Sequence, residues 1–318
     1  SLVDTLHERV GDEELLRQRD FDPAHAGVNG AWVRYLGHDG ERDGGDLGIY
    51  GTRGPGFDYR FDAIQIGQDL YRATSEAGVR QHGGFYLAYG KAKGEIRHNY
   101  LDYDFHAGAD EFTAMTLGGY WTAFNASGAY LDAVAQYTQY DLRTKSLRFD
   151  DDFTDADGVV VSLEGSWPFA LSQADAGARW RLSPQAQVIW QEVDVDAIDN
   201  GDMHVRFDDG DSLVARIGAQ LDRSAARQNR NGQSRASSLW LRANVWREFQ
   251  GEYAAAFETD TRFLPFPVDL GGSWGEVGIG GTWQVSQTGY LFGDIDYSHS
   301  FDGDDSAWNG KLGLRWNW

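Results

Sequence analysis

The last 11 residues constrain the fold more than any other stretch of the chain. From Trp308 to Trp318 the even positions are Trp308, Gly310, Leu312, Leu314, Trp316 and Trp318, while the odd ones are Asn309, Lys311, Gly313, Arg315 and Asn317. Side chains alternate across a β-strand, so this segment has one apolar, aromatic surface and one polar surface. A tilted strand of about 9 to 11 residues is also what the hydrocarbon core of a bilayer requires. The same design recurs upstream. Leu213, Ala215, Ile217, Ala219 and Leu221 alternate with Val214, Arg216, Gly218, Gln220 and Asp222. Leu239, Leu241, Ala243 and Val245 alternate with Trp240, Arg242, Asn244 and Trp246, and Val159, Val161, Leu163, Gly165, Trp167 and Phe169 with Val160, Ser162, Glu164, Ser166 and Pro168. Over Leu182 to Trp190 the polar face carries Ser183, Gln185 and Gln187.

Weaker segments begin near Ala31, Phe61, Val79, Phe112, Tyr130, Trp274 and Tyr290, for a total of about twelve strands, and an even number suits a closed antiparallel transmembrane barrel. The connections carry a second signal. Compact ones (Arg72 to Ala77, Asn125 to Gly128, Ala170 to Arg181, Ala225 to Ser237, Ser286 to Gly289) largely alternate with long, acidic, Gly-rich ones (Gly37 to Asp58, Lys91 to Asp110, Asp141 to Gly158, Asp194 to Asp211, Gly251 to Gly272). That is the short-periplasmic, long-extracellular asymmetry of outer-membrane barrels, and it puts both chain ends on the periplasmic side. Glu252 to Leu264 could be a further strand; strand parity assigns it instead to a hairpin within a long external loop.

Composition agrees and excludes alternatives. The 318 residues include 28 Lys and Arg against 49 Asp and Glu, a net charge of −21, which opposes nucleic-acid binding. No Cys is present, so there is no disulfide, thiolate ligand or Cys nucleophile. A mean hydropathy of −0.52 and the lack of any apolar run near 20 residues exclude a spanning α-helix but not a barrel, in which only alternate residues meet lipid. A soluble β-sandwich also alternates, yet gives no reason for a dozen strands of similar length or for Trp167, Trp190, Trp316 and Trp318 near strand ends, where aromatic girdles sit.

The first twenty residues read differently. Leu2, Leu6, Leu15 and Leu16 among charged residues give a helical pattern interrupted near Gly11. No secretory leader is legible, so the chain is read as a mature protein or a C-terminal piece of a longer one.

Several short runs point the same way. His7-Glu8-Arg9-Val10-Gly11-Asp12, Trp32-Val33-Arg34 and Ile64-Gln65-Ile66-Gly67-Gln68-Asp69-Leu70 are followed by Ser162-Leu163-Glu164-Gly165, Leu182-Ser183-Pro184-Gln185-Ala186-Gln187-Val188, Arg216-Ile217-Gly218 and Gly313-Leu314-Arg315-Trp316-Asn317-Trp318. In order and in spread they resemble the autotransporter β-domain of type V secretion, of the pertactin and AIDA-I kind. The resemblance implies an all-β, antiparallel transmembrane barrel of about twelve strands in the bacterial outer membrane. Residues 1–26 would form a helical linker in or below the pore, and 27–318 the barrel. It further implies, as partners, an exported N-terminal passenger, the barrel assembly machinery with periplasmic chaperones, and outer-membrane lipid and lipopolysaccharide, with the barrel a monomer. Trp316 and Trp318 would form the terminal assembly signal, although family members often end in Tyr-Ser-Phe rather than Asn-Trp.

Alternation places Arg34, Asp69, Asp132, Glu164, Gln185, Gln187, Arg216, Arg242, Glu276, Lys311 and Arg315 on the pore-lining face. A barrel of twelve strands falls between side-chain-filled eight-stranded barrels and wide porins, with room for one helix about 10 to 12 Å across. Enzymatic chemistry is not expected. Asp102, Asp104 and His106, or His299 and Asp302, could supply an acid–base pair, but no nucleophile with a positioned partner accompanies them. No Asn-Asn pair is present for in-pore self-cleavage. The acidic runs Asp150-Asp151-Asp152 and Asp208-Asp209-Gly210-Asp211 lack ordered calcium-loop spacing, so no metal and no cofactor is expected. A porin or adhesin barrel without a passenger is the alternative function.

Overall fold

The computed structural model describes residues 5–11, 30–44, 54–100, 103–146, 152–172, 178–199, 204–207, 210–228, 234–259, 262–269 and 271–318. In chain order these form helix α1 (Leu6–Val10) and strands β1 (Gly30–Gly44), β2 (Gly54–Thr74), β3 (Arg80–Tyr100), β4 (Tyr103–Phe124), β5 (Tyr130–Ser146), β6 (Asp152–Ser166), β7 (Phe169–Ala170), β8 (Ala178–Val195), β9 (Ile198–Asp199), β10 (His204–Phe207), β11 (Gly210–Gln228), β12 (Ser234–Glu248), β13 (Glu252–Thr259), β14 (Arg262–Asp269), β15 (Gly272–Gln284), β16 (Gly289–Ser300) and β17 (Ser306–Asn317). β1 to β6, β8, β11, β12 and β15 to β17 make a closed antiparallel barrel of 12 strands. The last strand closes on the first, from Gly30 opposite Asn317 to Glu41 opposite Ser306.

Register explains which surface meets lipid. Val33, Ile66, Leu87, Leu117, Tyr137 and Val159 lie opposite one another across six successive strands, forming one continuous outward row. Leu117 is 57% exposed and Ile66 59%, exposures that would be costly in water and are natural against acyl chains. Two residues further toward the long-loop side, the row is Tyr35, Ile64, Tyr89, Met115 and Gln139; two further still, it is Gly37, Asp62, Lys91, Thr113 and Asp141. Apolar side chains thus give way to a mixed level that includes Tyr35 and Tyr89 and then to polar and charged residues within four residues along the strands, which marks the outer edge of the apolar band.

The short turns are local and sequence-encoded. Gly78 (φ +77°) and Gly128 (φ +92°) take the left-handed conformation that lets Ser75 N meet Val79 O at 2.8 Å and Asn125 N meet Ala129 O at 2.9 Å. On the opposite side the expectation of long loops needs correction. Lys91 to Asp110 is not a loop: β3 and β4 keep pairing as far as Tyr100 opposite Tyr103. Most of Asp141 to Gly158 likewise belongs to β5 and β6, and β1 and β2 remain paired to Gly44 opposite Gly54. Above the bilayer nothing obliges a strand to stop; polar side chains on both faces are solvated while the backbone ladder continues. The segment from Glu252, assigned by parity to a long external loop, forms a hairpin, β13 and β14; β13 also pairs with β10, and β10 with β9, in a separate small sheet.

Candidate functional site: the barrel lumen

Helix α1 begins with a reciprocal cap. Thr5 N donates to Glu8 Oε2 at 2.9 Å and Glu8 N to Thr5 Oγ1 at 3.4 Å, the capping-box pattern of Thr-x-x-Glu. It ends at Gly11, whose φ of +84° terminates the turn. The helix predicted for residues 1–26 is therefore short among the described residues, and the 26/27 boundary lies outside them.

Of the residues expected to line the pore, Arg34, Asp69, Asp132, Glu164, Gln185, Gln187, Arg216, Arg242, Lys311 and Arg315 are buried, and Glu276 is largely so. They fall into groups. Arg242 Nη2 lies 2.6 Å from Glu8 Oε1, 2.8 Å from Asp296 Oδ1 and 3.6 Å from Glu276 Oε1, while Lys311 also contacts Glu8 and sits 3.5 Å from Asp294. Burial works against ionisation of Glu8, but the charges of Arg242 and Lys311 outweigh it and hold the carboxyl well below the usual carboxylate range. On the other wall Glu164 accepts from Leu6 N at 2.8 Å, from Tyr130 Oη at 2.6 Å and from Arg216 Nη2 at 3.1 Å; Arg216 in turn reaches Gln185 at 3.1 Å. Arg9 Nη2 is 2.6 Å from Asp132 Oδ1 and its guanidinium lies over the Tyr120 ring at 4.6 Å. Arg34 donates to the carbonyl of Glu8 at 3.0 Å. Asp69 joins wall to wall instead, holding Arg315 at 2.6 Å and Arg72 at 2.5 Å, and Gln187 donates to Ser162 at 2.9 Å. Five of the expected residues, Arg34, Asp132, Glu164, Arg242 and Lys311, thus reach α1, Gln185, Arg216 and Glu276 support them, and Asp69, Arg315 and Gln187 brace the wall. Trp316 and Trp318 point outward, at 43% and 60% exposure.

Of the residues proposed as possible acid–base pairs, His299 and Asp302 do not meet; the side chains of Asp102 and Asp104 lie outside the described ones. Asp302 accepts from Ser273 N at 2.8 Å, bracing a turn, and His299 and His106 are exposed. Asp102, Asp150, Asp151, Asp208 and Asp209 lie outside the described residues.

An autotransporter β-domain profile matches residues 31–296 of this chain. The chain belongs to the autotransporter β-domain family. As such it is an outer-membrane translocator barrel of the type V secretion kind. Among its relatives are the uncharacterised protein YdeU of Escherichia coli K12, 25% identical over 98% of this chain and 65% of that protein, and the adhesin BmaC autotransporter of Brucella suis, 26% identical over 99% of this chain and 9% of that protein. The chain thus spans less than two thirds of either relative. Pertactin autotransporter of Bordetella bronchiseptica is 26% identical over 92% of the chain and 29% of its own length. The transport unit of AIDA-I from Escherichia coli shares the fold with a TM-score of 0.73 at 16% identity, covering 93% of this chain and 92% of that one; the Bordetella BrkA β-domain gives 0.68 at 18%, over 92% and 100%.

Missed by sequence reasoning in this β-domain are the aromatic lumen side chains Trp32, Tyr86, Tyr120 and Tyr130, all buried. Alternation held the signal. Tyr86 and Tyr120 occupy the positions between outward Phe85 and Leu87 or Gly119 and Trp121, but an aromatic ring was associated with lipid rather than with an interior. The Thr5–Glu8 cap was equally legible.

Proposed function

We propose that this barrel anchors a passenger encoded upstream and that α1 is the end of the exported chain, closing the pore from within. The observation that carries this reading is the direction of α1. Gly11 packs against Thr282 and Phe292, each within three residues of the strand ends flanking the short turn at 285–288, whereas Glu8 is held by Arg242 and Lys311 in the middle of their strands. The helix therefore runs with Gly11 toward the short-turn, periplasmic side and with Thr5 toward the outer mouth. A polypeptide attached ahead of Ser1 would emerge on the cell surface.

On this reading 1–26 is linker and 27–318 barrel, and Arg34, Asp132, Glu164, Arg216, Arg242, Glu276 and Lys311 form a polar cradle that retains the linker after export. Asp69 and Arg315, with Gln185 and Gln187, keep the pore round. The barrel assembly machinery and periplasmic chaperones would recognise the end at Trp316 and Trp318, and lipid and lipopolysaccharide would surround a monomeric barrel. Catalytic activity, where the whole protein has any, belongs to the passenger. The test is single-channel conductance in planar bilayers of chains with and without residues 1–29. Small, infrequent openings that become large and sustained on truncation are expected; equal conductance would overturn the plug and leave a plain pore.

A further inference from the structure

Above α1, toward the outer mouth, the lumen changes character. A cavity of about 680 Å³ lies between the upper parts of β1 to β6 and the segments around Ile198 and Phe207, which fold over it from the external small sheet. Its wall is a run of rings. Phe61 and Phe112 stack with centroids 6.3 Å apart, Phe112 and Tyr140 meet edge to face at 6.0 Å, and Phe57 and Tyr59 stack at 5.3 Å. Leu36, Ala92 and Ala114, all buried, fill the spaces between.

Beside the rings, several polar atoms of this wall are engaged with each other, and the charged residues Asp110 and Arg143 also line it. His38 Nε2 and Tyr59 Oη are 2.9 Å apart, Tyr86 Oη donates to Gln136 at 2.7 Å, and Thr116 and Thr138 bond at 2.8 Å. At the rim Lys93 Nζ lies 3.2 Å from Glu111. A polar guest seated among the rings would displace these bonds at a cost. An apolar guest would instead cover ring faces that otherwise meet water, and aromatic pairs reward offset or edge contacts beyond the area they bury. The volume is that of a small-molecule pocket rather than of a single trapped water. A pore that only needed to pass and retain a polar linker would have no use for such a lining.

We infer that this outer vestibule is a binding site for a neutral, ring-bearing apolar small molecule. The site shares the outer lumen with the exported chain of the translocation reading, but it is argued from the upper wall and not from α1. 2-Naphthol is a suitable probe, titrated into the 318-residue chain in lipid nanodiscs at neutral pH, with empty nanodiscs as the reference for partition into lipid. Saturable binding with one site per barrel is expected. Ala114→Trp, which fills the cavity from the wall, should weaken it by about tenfold or more, and Leu117→Trp on the lipid face should leave it unchanged. Heat-modifiable migration on gels reports that each variant is folded. Uptake by the unmodified barrel that rises linearly and equals that of empty nanodiscs overturns the proposal, whatever the variants do. Saturable binding that is equal in folded Ala114→Trp also overturns it, since the site would then lie elsewhere.

Discussion

Replacing Glu8 by Ala tests the retention of α1 most directly. Glu8 joins the helix to two cations of the wall, Arg242 and Lys311, all three buried. Removing one partner of a buried ion pair typically costs about 3 to 5 kcal/mol, mostly because a charge is left uncompensated. Here the loss should sit at the lower end, since Arg242 keeps Asp296 at 2.8 Å and Lys311 keeps Asp294 at 3.5 Å. About 3 kcal/mol corresponds to a rise of roughly a hundredfold in the population with α1 released. The capping bonds to Thr5 are lost as well, which loosens the helix itself. In planar bilayers the open probability should climb by up to that factor, while the unfolding of the barrel in urea stays near that of the parent chain, because the strand ladders are untouched. Glu8→Gln should fall between the two. If Glu8→Ala, and independently Asp132→Asn, which faces Arg9, leave conductance unchanged while truncation opens the pore, then side-chain anchoring is not what holds the plug.

Ile217→Arg places a charge on a side chain 67% exposed to the lipid side and should destabilise the barrel by about 2 to 4 kcal/mol near the midplane, read from urea unfolding in liposomes; a lumen change such as Gln187→Arg should be far milder, and equal losses would contradict the facing described above. Gly118→Ala should cost about 1 to 3 kcal/mol, because a Cβ there would stand 2.1 Å from the Tyr86 ring, whereas Gly119→Ala, whose nearest neighbour is a carbonyl oxygen at 3.7 Å, should be close to neutral in the same assay. Deleting Trp318 should lower the yield of heat-modifiable barrel in the outer membrane without altering the stability of the fraction that assembles; an unchanged yield would remove the terminal residue from the assembly signal.

Where alternation meets a two-sided constraint, lipid on one side and a packed lumen on the other, the sequence is easily read. Leu312 and Leu314 against Lys311 and Arg315 leave no choice of face, and the lumen charges follow from the same parity. Outside the bilayer that constraint ends. Between Lys91 and Asp110 both faces are polar or small, so nothing in the pattern separates a continued ladder from a loop. The vestibule was hidden for a related reason. Phe61, Phe112 and Tyr140 share the inward parity of Gln65, Thr116 and Gln136, but the first two lie at strand starts and the third at a strand end, where parity carried little weight. The ion pairs of α1 join residues separated by up to 303 positions and have no local signature at all.

The seam between β1 and β17 sets the order of events during assembly. Gly30 finds its partner in Asn317, so the cylinder cannot close until essentially the whole chain has been made. Before that moment the chain is a curved sheet with two bare edges, each offering a row of unpaired amides to any other strand. The entropy of joining ends so far apart grows only slowly with the length between them, but no contact along the seam is gained until they meet. The two seam strands are thus the last to be satisfied, and a catalyst of insertion has the most to gain by holding one of them: it would shield an edge from wrong partners and surrender it only to the right one.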